Sequence, residues 1–354
     1  MKRRYFMQAS ALAGATGALA APAVAQGRRR LRVLNAWSGE AAGRGEVADL
    51  LATRVAALSG AGLTLTTIDR GASDRGQILR ALQAGDIDGV VGAEELWSSL
   101  HPAFGLFTST PGGMMERELE AWIRSNTGQA EWDRLAAGFG LKSLYLGDSG
   151  AEYMWSRAPI AAAADVSGLA VDSQGLAAEV YRALGARVTT PAPGAVSANA
   201  DIVELGPLAH QYQTAPRGMT LFYGNTPTRP SSALSLTLNK AVWDGMSSTE
   251  QRQVDAAATA ITHLVNGASM QRNALAFQAL GLRSGLTVTA LGDEAWSGLM
   301  RAAKPVFEGI EDRDAEGKRV IRAYRQFASA VQNWTMVADA AFTNARARSV
   351  RVGG

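Results

Sequence analysis

The chain has 354 residues, 47% of them hydrophobic and 19% charged, with a formal net charge of +3. That supplies enough apolar surface for two lobes of ordinary size, and no aromatic-interleaved basic face that would mark a nucleic-acid binder. Cysteine is absent, which excludes disulfides and thiol catalysis and leaves core packing to hold the fold.

The first 25 residues read as an export signal and not as part of the fold. Lys2, Arg3 and Arg4 precede Tyr5-Phe6-Met7 and an Ala/Gly/Leu stretch from Ala9 to Ala20. Ala23-Val24-Ala25 is a small-residue cleavage pattern, so the mature chain is expected to begin at Gln26. Arg3-Arg4-x-Phe-Met resembles a twin-arginine signal, with an ordinary secretory signal as the alternative. Either exports the protein to the periplasm. The apolar run is shorter than the ~20 residues a membrane-spanning helix needs, so the chain is not read as membrane-embedded.

Leu31–Trp37 reads as a buried first strand, and residues 44–58 as an amphipathic helix with Val47, Leu50, Leu51, Val55 and Leu58 at helical spacing. Gly62–Ile68 alternates as a strand, Arg75–Ala84 is a helix stopped by Gly85, and Asp88–Gly92 is a third strand. This β-α-β-α-β start predicts a parallel sheet with right-handed crossovers. Helices near Met115–Arg124 and Ala130–Phe139 precede a strand at Leu141–Gly147. Further on, Val166–Val171, Gly185–Val188, Asp201–Leu205, Met219–Tyr223 and Ala233–Leu238 read as strands, with a helix at Gly175–Leu184. Ser247-Ser-Thr-Glu250 is a capping box opening a helix to about Ala279, long enough at ~45 Å to lie across two lobes. A final helical region is expected over Arg313–Ala345.

The segment His101–Met115, HPAFGLFTSTPGGMM, is apolar and aromatic and ends in a Pro-Gly-Gly break. It resembles the DPAFxLFxxxPFGM segment of the solute receptors of tripartite ATP-independent periplasmic (TRAP) transporters, the DctP family. The run Val166–Val171 with its following helix resembles that family's DLKGLKMRIPG…LGA stretch, and the likeness extends from Trp37 through Trp334. It implies an α/β, two-lobed periplasmic solute-binding fold with a long helix spanning both lobes and a C-terminal helical segment. The expected division is 26–150 plus about 240–312 for lobe I, 151–239 for lobe II, and 313–354 for a C-terminal helix and tail.

Catalysis finds little support. His101, His210 and His263 fall in no metal-type spacing, Gly147-Asp-Ser-Gly150-Ala151 fails as a nucleophile elbow, and no phosphate loop is present. The chain is not read as an enzyme.

By the same resemblance the ligand lies in the interlobe cleft, where a family arginine grips a carboxylate. The matching position here is Asp172; the family's glutamine falls on Glu152, its aromatic pair on Glu95 and Leu96 beside Trp97 and Glu94, and its Glu-Trp on Val203 and Glu204. Several residues of a family helix are also missing between Pro193-Gly194 and Asp201. Four acids at cleft positions predict a cationic or zwitterionic ligand, with Trp97, Trp155 and Tyr223 adding cation–π contact. The alternative is a small organic acid held by a relocated arginine (Arg70, Arg75, Arg157 or Arg229) or by a bridging cation; no other cofactor is implied. The implied partners are the small-molecule ligand and TRAP membrane subunits, with a non-transport sensor on the same fold as the rival reading.

Overall fold

The structure, a computed structural model, describes residues 28–37, 43–69, 74–125, 127–192, 195–214 and 218–349. The expected signal peptide, its cleavage site and Arg70 lie outside the described residues.

Alternating and fully apolar runs become the strands β1 (Arg29–Asn35), β2 (Leu63–Asp69), β3 (Gly89–Gly92) and β4 (Leu141–Asp148). The helices α1 (Val47–Leu58), α2 (Arg75–Ala84), α3 (Glu116–Arg124) and α4 (Gly128–Ala137) connect them. Asp74 caps α2 by accepting from Gly76 N, and Gly85 ends it at φ +76°, a left-handed position that costs glycine nothing. In the second half, β5 (Trp155–Ser156), β6 (Ala170–Asp172), α5 (Gly175–Ala183), β7 (Arg187–Thr189), β8 (Ile202–Val203), α6 (Leu208–Thr214) and β9 (Leu221–Tyr223) follow. The chain continues through β10 (Ala233–Asn239), α7 (Lys240–Asp244), α8 (Ser248–Leu280), β11 (Thr287–Thr289), α9 (Asp293–Arg313), α10 (Ala315–Thr335) and α11 (Ala341–Ser349).

Two sheets result. The first has the order β2-β1-β3-β10-β4; β2, β1 and β3 run parallel as predicted, while β10 is antiparallel to both its neighbours. The second has the order β11-β9-β5-β8-β6-β7. This is the two-lobed α/β architecture expected. Its strands are shared differently from the expected division: β10, placed at the end of lobe II, completes the first sheet, and β11, placed in lobe I, extends the second. A strand is assigned by the edge it can pair with, which its position along the chain does not reveal.

Each sheet is covered on both faces. One cluster around Trp97, Phe104, Phe107, Trp122 and Trp132, and another around Val33, Leu51, Val91, Leu236 and Ile261, sandwich the first sheet. The His101–Met115 segment is a 3-10 turn over Pro102–Phe107. Its Phe107 stacks between Trp122 and Trp132, with centroids at 4.9 and 5.0 Å. The Pro-Gly-Gly break turns at Gly112, φ +59°. Gly105 allows close approach to α5, since a Cβ there would stand 2.7 Å from Leu176 Cγ.

The capping box forms as expected, with Ser247 accepting from Glu250 N and Glu250 accepting from Ser247 N. The 33 residues of α8 rise about 50 Å and pack on α1 and β4 of one half and α6 of the other. The pair α9–α10, of which only α10 was anticipated, also bridges: α9 lies on α5 and α10 on α3 and α4.

Phe107→Ala removes a fully buried ring from between two indoles. It should cost about 3–5 kcal/mol in a denaturant titration; a loss under about 1 kcal/mol would show that the stack is not a principal support.

Candidate functional site

Two of the segments that carry the chain between the sheets, from β4 to β5 and from β9 to β10, meet at one point. Glu152, in the first, pairs its backbone with Arg229 in the second and with Pro207 beyond β8. Glu152 N donates to Arg229 O at 2.8 Å.

The side chains converge there as well. Arg229 is fully buried, and its guanidinium pairs with Glu152 and, at 2.8 Å through Nε, with Glu204 Oε1. Nη2 also donates to Glu204 O at 2.6 Å. Glu204 Oε2 accepts from Tyr181 OH at 2.5 Å, and Glu152 Oε2 from Gly206 N at 2.7 Å. Burial alone would lower the guanidinium pKa, but Glu152, Glu204 and Glu95 outweigh it and raise the value, so the charge is permanent.

Arg44 adds a second buried guanidinium. It donates to Ser149 Oγ at 3.1 Å and Ser232 Oγ at 2.7 Å, lies 3.8 Å from Glu152 Oε1, and covers the Trp37 ring at 5.2 Å. Burial lowers its pKa, against the pull of Glu152 and Glu95. Glu95 is buried and accepts from Thr108 Oγ1 at 3.2 Å. Burial first, then the Glu152 charge, raises its pKa. Three buried polar atoms of this cluster have no hydrogen-bond partner among the described residues: Glu95 Oε1, Glu152 Oε1 and Arg229 Nη1.

A cavity of about 30 Å³ opens beside the cluster, roughly the room of two waters. Its wall carries Arg44, Arg75, Glu95, Gln174, Trp37 and His210, with Pro191, Ala192 and Ala195 from the segment after β7. Among the described residues of 190–201 there is no helix, in keeping with the shortening expected. Arg75 holds Gln174 Oε1 at 2.8 Å and has no carboxylate partner among the described residues. Burial pushes His210 down to about 4, so it is neutral.

The sequence-predicted residues therefore divide. Glu95, Glu152, Glu204 and Arg229 come together, but only Glu95 lines the cavity. Asp172 is buried and accepts from Ser197 N at 2.5 Å, pinning the segment after β7. Trp97, Trp155 and Tyr223, expected at the ligand, sit in the cores instead. Trp97 donates to Thr237 Oγ1 at 3.1 Å, Trp155 to Gln211 Oε1 at 3.0 Å, and Tyr223 OH accepts from Ile160 N at 2.8 Å. Arg157 bonds the carbonyls of Ala198 and Ala200 away from the cavity. Arg44 and Gln174 were not anticipated. Arg44 follows Gly43, φ +88°, in a stretch whose only local signal is its glycines.

Two further acids lie behind the site. Glu94 accepts from Trp132 Nε1, Ser235 Oγ and Thr237 Oγ1, and Asp148 accepts from the amides of Gly150 and Ser232. Burial pushes Glu94 up to about 7 and Asp148 up to about 8.

Together the two sheets, the three-segment meeting point and the cavity beside it define a two-lobed α/β architecture. Residues 40–198 match the family of bacterial extracellular solute-binding proteins, family 7, DctP. Over those residues the chain is similar to this family. It is 24% identical, over 97% of its length and 98% of the relative's, to a monocarboxylate 2-oxoacid-binding periplasmic protein of Nostoc sp.. Its fold is that of a TRAP solute-binding protein from Bordetella bronchiseptica solved with copurified calcium and picolinate (TM-score 0.85, 19% identity, 92% of this chain and 100% of that one). A second, from Pseudoalteromonas atlantica with bound sodium and pyruvate, gives a TM-score of 0.83 at 20% identity over 90% and 99% of the two chains. No described helix is long and apolar enough to cross a membrane.

Because Glu94 and Asp148 keep their protons in the folded state after the unfolded chain has released them, stability should fall as pH rises from about 4 to about 8. Melting curves across that window should show a steady decline, less steep in Glu94→Gln. A melting temperature that climbs toward pH 8 would contradict the assignment.

Proposed function

We propose that the protein is a periplasmic receptor for a small organic acid, of the 2-oxo monocarboxylate class, which it delivers to TRAP membrane subunits. The observation that carries this reading is the charge on the cavity wall. Among the described residues lining it, the charged ones are Arg44, Arg75 and Glu95. Two guanidiniums face one carboxylate whose own charge burial disfavours. A carboxylate ligand meets planar donors suited to it, Arg75 above all, because that side chain has no acid partner among the described residues. The remaining wall of Ala36, Ala93, Leu96, Pro191, Ala192 and Leu205 suits a short apolar tail. The 2-oxoacid named for the Nostoc relative and the pyruvate in the Pseudoalteromonas structure support the same class.

The expectation of a cationic ligand rested on four uncompensated acids. Glu152 and Glu204 both pair with Arg229, Glu152 also lies 3.8 Å from the Arg44 guanidinium, and Asp172 accepts a backbone amide, so that basis is reduced to Glu95. The unpartnered Glu95 Oε1 keeps one part of it alive as a second reading: a zwitterion with its carboxylate on Arg75 and its amine on Glu95. A protonated Glu95 would instead donate to the oxygen of a 2-oxo acid.

Calorimetric titration with pyruvate, longer 2-oxo acids, alanine, betaine and simple amines separates these. Arg75→Ala should weaken the preferred acid about 10- to 100-fold, the worth of a charged hydrogen bond of about 1.5–3 kcal/mol. The ligand-free melting temperature should hardly move. Glu95→Gln should preserve 2-oxo acid binding and abolish binding of a zwitterion. Binding of amines alone, unaffected by Arg75→Ala, would refute the proposal.

A further inference from the structure

The two solved relatives described above hold a calcium or a sodium ion along with their acids. The corresponding chemistry does not fit this chain. Among the described residues no group of three or more histidine, aspartate or glutamate side chains is arranged to hold a metal. The buried carboxylates are committed otherwise: Glu204 gives one oxygen to Arg229 and the other to Tyr181, and Glu152 gives Oε2 to Arg229 and Gly206. What remains is Glu152 Oε1 and Glu95 Oε1, beside a fixed positive charge that would repel any ion.

We propose that the Arg229 guanidinium is a built-in cation, standing between Glu152 and Glu204 in place of a metal ion and making ligand capture independent of metal. Three observations converge on it. The guanidinium is fully buried. It makes ion pairs with two carboxylates from different segments of the chain. Its Nη1 has no hydrogen-bond partner among the described residues, and the charge of Glu95, whose Oε1 is also unpartnered there, acts on it along with those of Glu152 and Glu204. A buried donor of this kind takes a water or a ligand atom, as a metal ion completing its coordination from a bound acid would. A covalently attached cation has a fixed position, cannot be stripped by a chelator, and donates in one plane.

This inference rests on the cleft being the ligand site but not on which acid fills it, so calcium alone is the first probe. Chelator-treated wild-type protein should show no change in melting temperature with millimolar calcium or sodium, and the same pyruvate affinity with EDTA as with calcium. Arg229→Gln removes the charge, leaves two buried carboxylates and a neutral oxygen ligand, and should melt lower. Calcium should raise its melting temperature, as linkage requires of an ion that binds the folded state. Its pyruvate affinity should be about tenfold or more higher with calcium than with EDTA. Arg229→Lys, which keeps a positive charge, should remain insensitive to calcium.

A wild-type protein that loses pyruvate binding in EDTA, or melts higher in calcium, overturns the proposal, and needs no variant to fold. A folded Arg229→Gln protein indifferent to calcium overturns it too. If pyruvate binds neither form, the ligand class is wrong, while the calcium response of the melting temperature still decides the role of Arg229.

Discussion

The buried contact of Arg229 with Glu152 and Glu204 is the constraint on which the arrangement of the two halves depends. It joins the β4–β5 crossing to the β9–β10 crossing and both to the end of β8, all without solvent. Taking such charges out of water is expensive, and the attraction repays it only when every partner is present. Losing one partner of a buried pair typically costs about 3–5 kcal/mol. The contact therefore specifies which segments meet more than it adds net stability. The surrounding groups follow from it: Tyr181 satisfies the second oxygen of Glu204, Gly206 adds a donor to Glu152 Oε2, and Arg44 leans on Glu152 from the other side.

Much of the scaffold was legible in the residues because local signals and tertiary roles agree there. The run Arg75–Ala84 with Gly85 after it became α2 with a left-handed cap. Ser247 and Glu250 reported the start of α8, and the aromatic segment at His101–Met115 became a buried turn over the first core. Strand partnership was less visible. β10 and β11 have the patterning of strands but nothing in them states which sheet they join, and α9 was missed although it carries a buried stripe at Ala295, Leu299, Ala303 and Ile310.

The site was half legible. Position along the family pattern brought Glu95, Glu152, Asp172 and Glu204 to attention, and the structure gathers Glu95, Glu152 and Glu204 around Arg229, but charge is a property of neighbourhoods. Arg229 neutralises Glu204 from 25 positions away, and no spacing rule links the two. The same holds for the aromatic residues. Trp97 and Trp155 were assigned to the ligand from their chemistry, whereas their indole N–H groups each found a partner inside a core, as buried tryptophan usually does. Arg44 and Gln174 went unnoticed because a polar residue in a loop has no periodicity to announce it.

The long helix α8 has a mechanical meaning. It is continuous from Ser248 to Leu280, and its Asn266 and Asn273 fasten the end of β4: Asn266 accepts from Asp148 N, and Asn273 holds Ser149 O while accepting from Ala209 N of α6. A single rod bolted to both halves fixes their separation on that side. The protein is built like a book bound along α8, whose one unbroken spine holds both sets of pages at a set distance.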